Sequence, residues 1–157
     1  MAAPVEIRRA TDADAAGIAS CLDRAFDAYR PHYPDDGYRD SVPDEDSVRR
    51  RLRSMTLFVA TSSGEIVGTV SCDISAPGVG HLRGMAVLPG WQGQGVASAL
   101  LHAAEDHLRR ESCTNVTLDT TAPLERAIRF YEREGYRASG RVGDFFGMPL
   151  FEYVKTL

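Results

Sequence analysis

The sequence predicts an α/β protein built on a mixed β-sheet. Three observations carry that expectation. Hydrophobic residues make up 43% of the 157 positions and charged residues 25%, the balance of a soluble globular chain with enough length for a real core. Apolar residues alternate at period two in some stretches and recur at helical spacing in others. The two kinds of stretch interleave, giving the order strand, two helices, three strands, helix, strand, helix and two strands.

Val5 and Ile7 alternate with Glu6 and Arg8, so the chain opens with a short strand buried on one face. Thr11 reads as a helix N-cap with Asp14 in the first turn, and Ile18, Leu22 and Ala25 or Phe26 form the apolar stripe. Periodicity then stops. The segment from Tyr29 to Pro43, YRPHYPDDGYRDSVP, reads as a long loop, and loops of that length inside compact domains are often functional. A second helix is expected from Pro43 to Ser54, acidic at its start (Asp44, Glu45, Asp46) and basic at its end (Arg49, Arg50, Arg51, Arg53), as the helix dipole favours. Its arginines read as a solvated face, with Val48, Leu52 and Met55 turned inward.

Leu57–Thr61 and Glu65–Ile74 form a β-hairpin pattern around Ser62-Ser63-Gly64. A loop with Pro77, Gly78 and Gly80 leads to a strand ending in Met85, Ala86 and Val87. Pro89 and Gly90 break that strand, Gly93 and Gly95 form a Gly-rich turn, and Val96, Leu100, Leu101, Ala104 and Leu108 mark one face of a long helix. Val116, Leu118 and Thr120 alternate as a fifth strand. A further helix is expected from Leu124 to Glu134, with Gly135 as its C-cap. Tyr136–Val142 and Leu150–Lys155 close the chain as two antiparallel strands joined by Gly143–Pro149, where Phe145 and Phe146 line a cleft or plug the core.

Composition excludes several function classes. A net charge of −4 argues against a nucleic-acid partner, which selects for basic stripes. The N-terminus lacks an apolar core of signal-peptide length, and no run approaches a membrane span. Cys21, Cys72 and Cys113 are odd in number and far apart, with neither metal nor disulfide spacing, so a reducing cytoplasm is the expected compartment. His102 and His107, five apart on a helix, do not share a face, and no metal site is expected.

The strand, Gly-rich turn and helix from Leu82 to Leu101 form an anion site by construction, because the first N–H groups of a helix lack internal partners and its dipole attracts negative charge. A P-loop would need Lys and then Ser or Thr at the helix start, and neither is there. A dinucleotide fingerprint would put Ser98 where its third Gly belongs and would lie near the first strand of its unit. A third reading, Gln92-x-x-Gly95-x-Ala97, matches the Q/R-x-x-G-x-G/A pyrophosphate loop of the GNAT (GCN5-related) N-acetyltransferases. A second stretch, Ala127 to Tyr136 (AIRFYEREGY), resembles that family's A-x-x-x-Y-x-x-x-G-F/Y pattern.

The resemblance covers nearly the whole chain. It implies a single GNAT acetyltransferase domain over residues 1–157, with a mostly antiparallel sheet, splayed fourth and fifth strands and about four flanking helices. It also implies acetyl-CoA as co-substrate without a metal, direct attack by an amine on the thioester, and a monomer or homodimer. Pyrophosphate would sit on Gln92, Gly93, Gln94, Gly95, Val96 and Ala97, and the pantetheine arm would pair with Met85, Ala86 and Val87, an N–H near Val87 also facing the thioester oxyanion. Tyr131 occupies the position that protonates the departing thiolate, a task suited to a phenol with an ordinary pKa near 10. One departure is Leu124, which stands where many members carry Asn and implies looser cofactor contact there.

Asp73 and His81 are the candidate general bases, alongside a base acting through water. In the resembled family the segment from Tyr29 to Pro43 caps the acceptor site, so the resemblance makes Tyr29, His32, Tyr33 and Tyr38 candidate contacts to the acceptor, a small-molecule or peptide amine. Asp35, Asp36, Asp40 and Asp44 would favour a cationic amine by local potential. Two other function classes use the same residues: a non-catalytic acyl-CoA sensor, and an interaction protein whose glycines only shape a turn.

Overall fold

A single seven-stranded sheet organises the computed structural model, which describes residues 4–157. The strands are β1 (Glu6–Arg9), β2 (Thr56–Ser62), β3 (Glu65–Ala76), β4 (Val79–Val87), β5 (Asn115–Thr120), β6 (Arg137–Phe145) and β7 (Met148–Thr156). The α-helices are α1 (Ala15–Phe26), α2 (Asp35–Ser41), α3 (Glu45–Ser54), α4 (Val96–Arg110) and α5 (Glu125–Arg133). Sheet order is β1-β2-β3-β4-β5-β7-β6, and every neighbouring pair is antiparallel except β4 and β5. The mixed sheet expected from the sequence is therefore present.

Each face of the sheet buries a separate apolar stripe. Leu100, Leu101, Ala104 and Leu108 of α4 pack on Val67, Val70, Cys72, Leu82, Val116 and Leu118. On the opposite face Ile18 and Leu22 of α1 and Val48 of α3 cover Leu57, Val59 and Ala86. Each Val, Leu or Ile side chain removed from water here contributes about 1.5–3 kcal/mol, which fixes both helical layers against the strands.

The parallel pair is short. β4 pairs with β5 only through Val79–Leu82 and Asn115–Leu118, so Arg83–Val87 have no strand beside them on that edge. A bulge accounts for the divergence. Ser71 is opposite Arg83 and Thr69 opposite Ala86, so Gly84 and Met85 together oppose Val70 alone. Gly84 takes φ of 62°, a left-handed conformation that glycine adopts without steric cost. Bulges bend a strand, and here β4 leaves β5 and the sheet splays.

Three segments differ from the sequence expectation. The stretch from Tyr29 to Pro43 is not an open loop: a 3-10 turn over Asp27–His32 leads into α2. Pro34 sits before α2 and Asp35 and Asp36 open it, a favourable N-terminus, but seven residues are too few to show an apolar period. Gly80 lies inside β4, opposite Ile74 and Val116, rather than in a loop. β6 and β7 continue through Gly143, Asp144 and Phe145, leaving only Phe146 and Gly147 as the turn, both at positive φ. Gly143–Pro149 reads as a loop by composition, yet its backbone completes the hairpin ladder.

Asp14 anchors the first helix to the sheet edge. Its carboxylate takes two bonds from the Arg8 guanidinium, at 2.8 and 2.9 Å, and one from the Thr11 amide at 2.8 Å. Hydrogen bonding by Arg8 is the main reason its pKa lies below the ordinary 3.8. That stabilisation is complete above pH 4 and is lost as pH falls through the lowered value. Asp14→Asn is expected to lower unfolding free energy by about 1–2 kcal/mol at pH 7, with the deficit disappearing at low pH. Urea unfolding at pH 7 and pH 2.5 checks this, and an equal deficit at both pH values would contradict it.

Candidate active site

The splay opens a cleft of about 810 Å³. Its walls are the free edge of β4, the turn and first residues of α4, the end of β5 and one face of α5. Met85, Ala86, Val87, Gln92, Gly93, Gly95, Val96 and Ala97 all line it. Gln94 does not; its side chain turns back and donates to the Gly90 carbonyl at 3.0 Å.

The turn before α4 is an anion cradle in its own geometry. Gly95 is the N-cap, with φ of 82°, and Gly93 has φ of 77°. A Cβ at either position would meet nothing within 4 Å, so backbone conformation, not crowding, selects glycine, and the approach is open. Among the described residues, the amides of residues 93 to 98 find no hydrogen-bond acceptor. Six successive free N–H groups at the positive end of a fifteen-residue helix suit a diphosphate. Gln92 closes the turn by donating to the Val87 carbonyl at 3.4 Å. The donor set therefore fits coenzyme A, with the unpaired edge of Arg83–Val87 available for an extended arm.

Tyr131 faces the same space. It is 7% exposed, lines the cleft, and no described residue hydrogen-bonds its hydroxyl. Burial pushes its pKa above the ordinary 10, so it is protonated at neutral pH. Its ring packs against Phe130 and Tyr136, with centroids 5.4 and 5.8 Å away. Tyr136 donates to Glu105 at 2.7 Å, and Lys155 donates to the same carboxylate at 3.0 and 3.2 Å. At the mouth, Glu134 accepts from Ser98 and lies 3.4 Å from His102 Nε2. The segment that follows α5 is thus fastened to α4 through Glu134 and Tyr136, and Lys155 of β7 joins it at Glu105.

The other end of the cleft is polar. Asp73 and His81 are cross-strand partners and both line it. His81 Nδ1 is 2.7 Å from Thr117 Oγ1, and its Nε2 is 3.7 Å from Asp119. Of the aromatic candidates, Tyr29 and Tyr33 line the cleft, while His32 is exposed outside it and Tyr38 is buried beneath Arg30, 4.2 Å from its ring. Phe145 lines the cleft edge-on to Tyr33, and Phe146 is largely exposed. The acidic segment does not gather into one negative patch: Asp44 caps α3, Asp36 pairs with Arg39, and Asp40 is bonded to Arg83 at 3.2 and 3.3 Å.

Several residues here carry little signal in the sequence. Arg51 is half-buried in the cleft although its neighbours Arg50 and Arg53 are exposed. Thr120 Oγ1, at the end of β5, is buried without a partner among the described residues and lines the splay near Leu124. Gly84 alone was a readable cue, because an isolated Gly within a strand pattern marks a bulge. No group of three metal-ligating side chains occurs among the described residues. No described helix is long and apolar enough to cross a membrane.

Fold and cleft together define an acyl-CoA-dependent transferase. Residues 18–136 match the acetyltransferase (GNAT) family, and the chain belongs to it. It is 30% identical over 145 residues to the aminoalkylphosphonate N-acetyltransferase of Salmonella typhimurium, covering 85% of this chain and 86% of that one. It is 29% identical over 103 residues to N-alpha-acetyltransferase 30 of Schizosaccharomyces pombe, covering 62% of this chain and 69% of that one. The PaiA N-acetyltransferase of Thermoplasma acidophilum, solved with coenzyme A, shares the fold with a TM-score of 0.81 at 17% identity over 98% of this chain and 99% of that one. The protein is an acyltransferase with acetyl-CoA as its co-substrate.

Glu105 is 1% exposed and depends on Lys155 for charge balance. Glu105→Gln leaves that ammonium without its counter-charge and is expected to destabilise the fold by about 3 kcal/mol. Guanidinium unfolding measures the loss, and a change below about 0.5 kcal/mol would show that the pair does not support the wall behind Tyr131.

Proposed function

We propose that the protein moves the acetyl group of acetyl-CoA to a primary amine by direct attack, with Tyr131 as general acid. The observation that carries this reading is a single cleft joining the free amides at residues 93 to 98, the unpaired edge of β4 and the Tyr131 hydroxyl. Residues 1–157 act as one domain in this reading. The three cysteines, buried and unpaired, suit a reducing cytoplasm. The relatives' names point to different amines, an aminoalkylphosphonate in one case and an alpha-amine in the other, so they leave the acceptor open.

The residues divide the work as follows. Amides from Gly93 to Ser98 hold the diphosphate, and the free groups of Met85 to Val87 pair with the pantetheine arm. A strand N–H near Val87 stabilises the negative charge that develops on the thioester oxygen. The ammonium of the acceptor first loses a proton to Asp73 or His81, directly or through water. Its lone pair then forms the C–N bond as the C–S bond breaks. Tyr131 gives its proton to the departing sulfur, and the second proton of the attacking nitrogen leaves through solvent and restores the phenol, so that a free thiol and a neutral amide remain. Positioning and electrostatics supply the acceleration, with no acyl-enzyme.

Tyr131→Phe is expected to lower kcat about 10²- to 10⁴-fold while coenzyme A binds within a few-fold of normal. Thiol release with a panel of amines measures the first, and calorimetry the second. Because the folded-state pKa of Tyr131 is raised, the acid stays protonated to pH 10, and kcat is expected to rise with pH and plateau without a basic limb below that. A Phe variant within threefold of the native rate would remove Tyr131 from the reaction. Coenzyme A binding without turnover of any amine would favour a sensor.

A further inference from the structure

Two arginines converge on the acceptor end of the cleft, and the protein itself supplies one carboxylate for both. Arg51 reaches in from the last turn of α3 and Arg83 rises from β4, and both line the cleft. Asp40 bonds to Arg83 through both carboxylate oxygens, but offers Arg51 only its backbone carbonyl, at 3.2 Å. Among the described residues Arg51 has no ion pair. Its guanidinium lies over the bulge: a Cβ built on Gly84 would be 3.5 Å from Nη1. Burial, and then the nearby Arg83, pull the Arg51 pKa down to about 10, so it remains cationic at neutral pH in a partly desolvated site. A guanidinium in such a place is stabilised by an anion, and its planar donors match carboxylate or phosphonate oxygens.

Opposite charge lies a short step along the same strand. Arg83 faces Ser71, and His81 faces Asp73, in one unbroken register, so Arg83, His81 and Asp73 share a face of the sheet. Two residues of strand separate Arg83 from His81 by roughly 7 Å. Asp119 adds a second carboxylate beside His81. This end of the cleft therefore presents both signs of charge, the guanidinium groups of Arg51 and Arg83 on one side and the carboxylates of Asp73 and Asp119 on the other, while Arg126, Arg133 and Glu134 also line the cleft.

We infer that the acceptor is a small amine that also carries an anionic group, a carboxylate, phosphonate or phosphate held by Arg51 and Arg83 while its amine points to Asp73 and His81. This inference rests on the transferase reading above and specifies its substrate class. It replaces the expectation that an acidic segment selects a purely cationic amine, because the one aspartate of that segment in the cleft, Asp40, is occupied by Arg83.

The test compares matched acceptors with the native enzyme and acetyl-CoA: aminomethylphosphonate and 2-aminoethylphosphonate, glycine and β-alanine, the neutral amines ethanolamine and propylamine, and a short peptide amide with a free N-terminus. The expected result is a kcat/KM at least tenfold higher for one of the acidic amines than for the neutral ones, with the phosphonate and carboxylate arms separating the two anion classes. Arg51→Gln and Arg83→Gln are each expected to lower that ratio tenfold or more, mainly through KM, with coenzyme A affinity checking that the variants fold. Neutral amines or the peptide preferred, or a ratio that neither variant changes, would overturn the anion subsite and leave the transferase reading standing. Coenzyme A binding with no amine accepted overturns it as well. Failure to bind coenzyme A at all would sink the transferase reading first, and the subsite with it.

Discussion

The structure depends on an interruption. Backbone N–H and C=O groups inside a protein are obligatory hydrogen-bonders, and a sheet normally satisfies them by continuous pairing. Here the pairing of β4 with β5 stops at Leu82 and Leu118, and the amides before α4 find no acceptor either. Both sets of free groups, Gln94 apart, belong to residues that border one cleft. Leaving so many polar groups unpaired weakens the fold locally, and a ligand that paired with them would return what the missing partners would give.

The surroundings hold that opening in shape. The bulge at Gly84 bends β4 away while the two apolar cores hold the rest of the sheet against its helices. The segment after α5 is tied to α4 by Glu134 at the cleft mouth and by Tyr136, which with Lys155 of β7 meets the buried Glu105 of α4. Tyr131 lies between these ties. Its position is therefore set by packing and charge from two other elements, which leaves its ring little freedom to move.

Much of this was legible in the sequence. The Gly-rich turn after an apolar strand has a direct backbone meaning, and Gln92, Gly95 and Ala97 at fixed offsets identify the loop. The apolar stripe of α4 and the alternation of β5 follow from periodicity alone. What escaped was whatever depended on partners distant along the chain. Arg51 reads like Arg49, Arg50 and Arg53, and only the packing of α3 over β4 turns it into the cleft. Glu105 looks like one polar position on a helix until Lys155, fifty residues later, is placed beside it. α2 is too short to announce itself, and the β6–β7 turn hides behind two phenylalanines and a glycine.

The claim that the free amides receive the cofactor is open to a direct look. In a ¹H–¹⁵N NMR titration of the native protein with coenzyme A, the account predicts the largest amide shifts at residues 93 to 98, with a second group at Met85, Ala86 and Val87. Shifts that leave Gly93 and Gly95 unmoved, or that gather on another surface, would contradict it.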